Sequence, residues 1–249
     1  MKYLIITLVF SFVFRVNGQS PTTPKNVAIT YKVIQIDNEI NESEIGNAQA
    51  LKMVEQDQSL IPNIEFILLA NDKEYIFEYS DPLEIDNQRA QKRAAMAVGG
   101  FYKFYKNGEA RLKQTESFGD KINIILPQDE YDWEVTEEIK EIAGFKCRKA
   151  ISYSFSPNPK EPSEKIKIKI TAWFSEDINF SVGPQGLDNL PGAVLEGSID
   201  GRNFFYASSV EFNSDRIADL KKPKGGRDMK AKEFDEMVQK ILEQIKNGG

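Results

Sequence analysis

Apolar and polar residues alternate with a period of two along much of this chain, the spacing of strands that bury one face. Strand-like or β-rich stretches fall at about 27–36, 64–69, 74–79, 100–106, 109–115, 121–126, 145–155, 165–175, 193–199 and 203–213. Turn chemistry separates many of them. Asn107-Gly108, between Tyr102–Tyr105 and Ala110–Lys113, predicts a hairpin with a type I′ turn, because Asn and Gly accept the positive φ angles that turn needs. Asp200-Gly201 predicts a similar connection between Val194–Ile199 and Phe204–Val210. Short strands joined by hairpins imply antiparallel pairing.

Two segments change to a helical period. From about Ser43 to Gln58, Ile45, Ala48, Leu51 and Val54 recur every three residues after an Asn/Ser capping region, which predicts an amphipathic helix laid against the sheet. From about Met229 to Lys246, Phe234, Val238, Ile241 and Ile245 form a second stripe with charges opposite. Each stripe reads as core contact, with a partner groove as the alternative. Asn87–Ala97, rich in Gln, Arg and Ala, is either a third short helix or a loop. The pattern predicts a mainly β fold. Residues 19–249 would form a single domain, one curved, half-barrel-like antiparallel sheet with one or two helices packed on its concave side, including a C-terminal helix at about 229–246.

The first residues follow a different logic. Met1-Lys2-Tyr3 gives a positive start, and Leu4–Phe14 is apolar apart from Thr7 and Ser11. That run is too short to span a bilayer comfortably. Val16-Asn17-Gly18-Gln19 follows with small residues, so residues 1–18 are expected to be a signal peptide cleaved after Gly18. A buried N-terminal strand is the alternative. With no cysteine near the cleavage site and no later apolar run of about 20 residues, the mature chain is expected to be exported, periplasmic or extracellular, and free of lipid and transmembrane anchors.

Cleavage would remove Lys2 and Arg15, leaving 30 basic and 38 acidic residues, a net charge of −8. An acidic chain argues against a nucleic-acid partner, because phosphate binding needs clustered Lys and Arg. The densest basic run, Lys221-Lys222-Pro223-Lys224-Gly225-Gly226-Arg227, reads as a solvated linker rather than a binding patch, given its Pro and Gly. The single cysteine, Cys147, cannot form an internal disulfide. Alternation along Phe145–Ile151 places its thiol on the buried face, leaving a reactive thiol or an intermolecular disulfide as lesser readings.

Absence decides most of the chemistry. The chain has no histidine, which removes Ser-His-Asp and Cys-His catalysis and the usual zinc and copper sites. It also has no Gly-x-Ser-x-Gly elbow, Ser-x-x-Lys, Gly-x-Gly-x-x-Gly or phosphate loop. Asp129, Glu130, Asp132 and Glu134 are the densest acids and could in principle serve a glycosidase-like pair. Interleaved with Tyr131 and Trp133 after a proline, they read instead as a solvated rim. Calcium would need the spaced ligands of an EF-hand loop, which are missing. No cofactor is expected, and Asn41-Glu42-Ser43 is a glycosylation sequon only in a eukaryotic setting.

One region spends Gly and Pro among large apolar residues: Ala172–Ile178, Gly183-Pro184-Gln185-Gly186 and Leu190–Glu196. Pro191-Gly192 fits the centre of a type II turn. These residues resemble the GLPGLI family of secreted proteins from Bacteroidetes-type bacteria. Here the naming segment reads Asn189-Leu190-Pro191-Gly192-Ala193-Val194, with Asn for the first Gly and Ala-Val for Leu-Ile. The resemblance extends over Trp133, Ile142–Ala150, Ala172-Trp173-Phe174, Gly183-Pro184 and Pro223-Lys224, in that order; residues 41–98 share none of it. It implies a secreted envelope protein and brings no catalytic residue or cofactor.

Three functions follow as expectations. The first is a non-enzymatic binding or carrier module for an apolar small molecule, with the Leu-Pro-Gly loop on the rim of its pocket. The second is a module that docks an envelope protein, and the third a carboxylate-dependent enzyme. In the first two, the ligand or partner surface comprises Trp173, Phe174, Gly183, Pro184, Gly186, Leu190, Pro191 and Gly192. Turn chemistry and core packing alone would also account for these residues.

Overall fold

The strand pattern becomes one sheet. The computed structural model describes residues 24–36, 48–80, 88–117, 119–157 and 164–247. The expected signal peptide, the Asn41 sequon and Ile45 lie outside them. The strands are β1 (Asn26–Gln35), β2 (Phe66–Asn71), β3 (Glu74–Tyr79), β4 (Lys103–Asn107), β5 (Arg111–Ser117), β6 (Asp120–Ile125), β7 (Glu134–Ile142), β8 (Phe145–Pro157), β9 (Lys165–Ser175), β10 (Ala193–Ser198), β11 (Asn203–Phe212) and β12 (Arg227–Lys230). Three helices accompany them: α1 (Ala48–Leu60), α2 (Gln88–Ala97) and α3 (Ala231–Asn247).

The sheet order is β12-β6-β5-β4-β3-β2-β1-β11-β10-β9-β8-β7, an open sheet whose edges are β12 and β7. Two runs of sequence-adjacent strands, β1–β6 and β7–β11, meet at the β1–β11 ladder. The ladders are antiparallel except β12 on β6, which runs parallel from Arg227↔Ile122 to Lys230↔Ile125. That pairing departs from the all-antiparallel expectation, and a long excursion through residues 126–226 permits it, because a parallel neighbour cannot arrive through a hairpin.

Ten strands coincide with the predicted stretches; β7 and β12 do not. Glu-Val-Thr-Glu-Glu-Ile-Lys-Glu-Ile in β7 shows no clean alternation, since as an edge strand it buries only Ile142. β12 is four residues long and holds its place through Met229, which packs with Ile122, Ile124 and Phe234.

The principal core gathers Phe66, Phe77, Phe205 and Tyr31. The Phe66 and Phe77 rings stack at 5.4 Å, and Phe205 meets them edge-on at 4.9 and 5.6 Å, the arrangement aromatic quadrupoles favour. The Tyr31 hydroxyl, buried there, donates to the Val194 carbonyl at 2.6 Å. Cys147 belongs to the same core, as its alternation predicts, and burial pushes its thiol up to about 11, which suppresses the reactive thiolate at neutral pH. α2 settles the Asn87–Ala97 question as helix, docking through Ala94 and Ala95, whose small side chains allow close approach.

α1 differs from its expected placement. Ala48 and Val54 are exposed, and the helix packs on α2, where Asp57 accepts two hydrogen bonds from Arg93 at 2.9 and 3.0 Å. The Asn107-Gly108 hairpin forms, but neither residue has positive φ. The Asn107 side-chain carbonyl instead accepts the N–H groups of Glu109 and Ala110 at 2.9 and 2.7 Å, an Asx turn in place of type I′. At the other hairpin Gly201 has φ 72° and the Asp200 carboxylate accepts the N–H groups of Arg202 and Asn203.

Candidate functional site

After β9 the chain does not turn straight into β10. It runs out through Ile178 and Val182 and folds back, with Ala193 N–H donating to the Ile178 carbonyl and Val194 N–H to that of Val182. Two glycines make this possible. A Cβ on Gly183 would lie 2.1 Å from the Leu187 carbonyl oxygen, and one on Gly192 would lie 2.0 Å from that of Ser175. Gly192 has φ 153° and its N–H donates to the Leu190 carbonyl at 2.8 Å, which closes a three-residue turn rather than the expected type II turn. Leu187, Leu190 and Val194 then pack with Ala150, Ile170, Ala172 and Phe174 in a second core.

At the tip of this strap Asp188 is fully buried and faces the β3–β5 strands. One of its oxygens accepts the Tyr75 hydroxyl at 2.8 Å and lies 3.3 Å from Arg111 Nε and 3.2 Å from Lys106 Nζ. Arg111, itself buried, also donates to the Gly186 carbonyl at 2.8 Å, the Pro127 carbonyl at 3.0 Å and Glu130 at 2.5 Å, with its guanidinium 5.8 Å from the Tyr131 ring centre. Trp133 Nε1 donates to the Asp188 carbonyl at 2.8 Å. Burial opposes the Arg111 charge, but Asp188 and Glu130 outweigh it and hold the group more basic than ordinary arginine. Burial first, then the adjacent Asp188, pushes the Tyr75 hydroxyl well above its usual value. This cluster locks the strap of one strand run onto the other.

Of the residues proposed as a ligand or partner surface, Phe174, Gly183, Pro184, Gly186, Leu190 and Gly192 are buried, Trp173 is half-buried and only Pro191 is exposed. Trp173 lies under two ammonium groups, Lys140 at 4.3 Å and Lys149 at 5.5 Å from its ring. Among the acids, Glu130 is taken by Arg111, whereas Asp129, Asp132 and Glu134 are exposed, as a rim would be.

A cavity of about 360 Å³ lies beside the strap, between Tyr75, Lys106, Phe180, Val182 and Asn189, and the larger open spaces lie elsewhere. A groove of about 890 Å³ runs between α3, β5 and the two residues that lead into β4, walled by Phe101, Tyr102, Phe155, Phe234, Val238 and Lys113. Phe155 belongs to β8, with seven strands between it and β5 in sheet order, so the sheet curls far enough to bring both to one cavity. The side chains of Phe155 and Phe101 are 67% and 41% exposed. Lys113 Nζ sits 4.7 Å from the Tyr102 ring centre, and burial lowers its pKa from the ordinary lysine value despite the counter-pull of Glu130 and Asp235. A cavity of about 700 Å³ adjoins this groove, sharing Phe101, Thr115 and Glu116 in its wall. The sequence reading missed both, because their walls come from segments far apart in the chain.

Among the described residues no group of His, Cys, Asp and Glu is placed to hold a metal ion, and no helix is long and apolar enough to cross a membrane. No family model matches the chain, and no curated protein matches it. Among solved structures it is similar to PNGF-II in a C2 crystal form, at 15% identity and a TM-score of 0.49 over 86% of this chain. It is similar also to PNGF-II in a P21 form, at 18% identity and a TM-score of 0.49 over 87%. The chain spans about a third of the length of those structures, 33% and 34%.

Proposed function

We propose that the protein is a non-catalytic binding module that holds the apolar part of an amphiphilic small molecule in the groove beside α3. The observation that carries this reading is the pair of wet aromatic side chains, Phe155 and Phe101, in one cavity with the half-buried Tyr102 and the buried Phe234. An apolar ligand covering them removes aromatic surface from water at about 25 cal/mol per Å², and the groove is of a size that encloses a small molecule. The mixed wall, with Lys113, Asp235 and Gln239 among the aromatics, fits an amphiphile better than a plain hydrocarbon. The Leu-Pro-Gly strap, in this reading, braces the sheet whose curl forms the groove instead of forming its rim. Export and kinship with the GLPGLI family belong to the same proposal, resting on residues 1–18 and on Leu190-Pro191-Gly192 with the segments around it.

Titration with a fluorescent acyl probe tests it. Saturable one-to-one binding is expected, weakened by Phe155→Asp, a substitution at an exposed position that the fold tolerates. Binding that never saturates, or that ignores Phe155→Asp, overturns the reading.

A further inference from the structure

We infer that the ligand of the groove carries a phosphate-type anionic head, and that this head lies in the adjoining cavity among Lys92, Lys103, Lys121, Lys221, Lys222 and Lys224. The inference rests on the groove reading and names the class of molecule it takes. These six lysines come from α2, β4, β6 and the segment before β12, so the fold, not the sequence, assembles them. Three carboxylates share the wall, Glu78, Glu116 and Asp219, and Glu78 is engaged by Lys103. Among the described residues of the wall six lysines stand against three carboxylates, with Lys103 paired to Glu78 and Lys92 also partnered, an excess of positive charge in a chain of net charge −6. Like charges gathered in a concave wall raise the local potential and draw counter-ions.

The basic segment is solvated at Lys221, Lys222 and Lys224, as its composition predicts, but it is anchored on either side. Leu220 is buried in the cluster with Ile76 and Tyr105, and the Gly225 carbonyl accepts Gln114 Nε2 at 3.1 Å and Asn123 Nδ2 at 3.2 Å. Met229 of β12 packs immediately beyond it. Lysine ammoniums act as point charges suited to phosphate, and a phosphate monoester carries about two negative charges at neutral pH. Phe101, shared by both cavities, marks where the acyl part meets the head.

Three ligands separate the possibilities in calorimetric titrations kept below micelle formation: a long-chain acylglycerol, its 3-phosphate, and glycerol 3-phosphate. Each is titrated into the unaltered protein and into Lys221→Gln/Lys222→Gln/Lys224→Gln, whose three positions are exposed. The acylglycerol phosphate is expected to bind about tenfold more tightly than the acylglycerol, the sum of three exposed charge contacts. The triple variant should lose that advantage while keeping its affinity for the acylglycerol. Equal affinities in the unaltered protein, or an advantage that survives in the triple variant, overturn the head-group assignment and leave the groove reading intact. Glycerol 3-phosphate binding as tightly as the acyl ligand shows a free-phosphate site and overturns the joint site. If neither acyl ligand binds, the groove reading itself falls.

Discussion

The Asp188 lock and the groove beside α3 both combine aromatic rings with lysine, arginine and carboxylate, yet they resolve the combination in opposite ways. In the lock, Asp188 and Arg111 are buried and one carboxylate oxygen gathers three donors, while Tyr131 and Trp133 lie against the cluster. In the groove, Phe155 stands mostly in water and Lys113 is half-buried against a tyrosine ring. The lock satisfies one Asp188 oxygen three times over while leaving the other, and Gln185 Oε1, buried without a hydrogen-bond partner, and its buried or half-buried rings offer little apolar surface to a further molecule. The groove leaves apolar surface unpaired, and unpaired apolar surface is where binding free energy is available. The region richest in Gly and Pro thus spends its side chains on contacts with one another, and the region with a commonplace sequence is the one that leaves aromatic surface in water.

The comparison breaks most readily at the lock. Asp188→Leu leaves the Arg111 guanidinium buried without its main counter-charge, and a loss of about 3–5 kcal/mol is expected in denaturant unfolding. Pairing it with Arg111→Met removes both charges and should recover much of that loss. A single variant within about 1 kcal/mol of the parent would show that the strap is not held by charge. Gly192→Val comes next. It forces a β-branched residue into positive φ and a Cβ against the Ser175 carbonyl, so thermal unfolding should reveal a cost of about 2–3 kcal/mol.

The groove supplies smaller effects of another kind. Because burial lowers the pKa of Lys113, the folded state releases its proton before the unfolded state does, and the unfolded chain binds more protons in the interval below about 10.5. Stability should therefore rise with pH through that interval, by no more than about 1.4 kcal/mol per pH unit for one group. Lys113→Met should flatten this part of the profile in unfolding curves taken from pH 7 upward. Phe155→Asp is the smallest in stability, within about 0.5 kcal/mol at an exposed position, while probe affinity drops. A large loss of stability with unchanged affinity would reverse the roles assigned to the two regions.

Strand positions were legible in the chain through alternation where one face is buried, as in β9, and through continuous apolar runs where both faces are, as in β2. β7 and β12 were not, since an edge strand rich in glutamate and a four-residue strand impose almost none. The strap was conspicuous through Gly183, Pro184, Gly186, Pro191 and Gly192, but its partners were hidden. Asp188 is a lone acid between Leu187 and Asn189, and nothing local ties it to Arg111, 77 residues earlier. One signal was available. Period-two reading puts Arg111 and Lys113 on the face opposite the apolar Leu112, two cations aligned in a strand covered on both sides. The lysine cavity had no such signal, because one run of basic residues cannot announce the other three lysines that face it.

The β1–β11 ladder has a consequence for how the molecule is made. Within β1–β6 and within β7–β11 paired residues are no more than 45 positions apart, whereas Val27↔Phe212 through Gln35↔Asn203 joins residues 185 to 168 positions apart. Ordering so long an intervening loop delays such pairing. During synthesis β1 must wait, with Asn26–Tyr31 able to pair with β2 and its other edge open, until β11 has left the ribosome. The nascent chain thus carries an open strand edge for most of its synthesis, and the step that seals this edge is also the step that unites the two halves of the core.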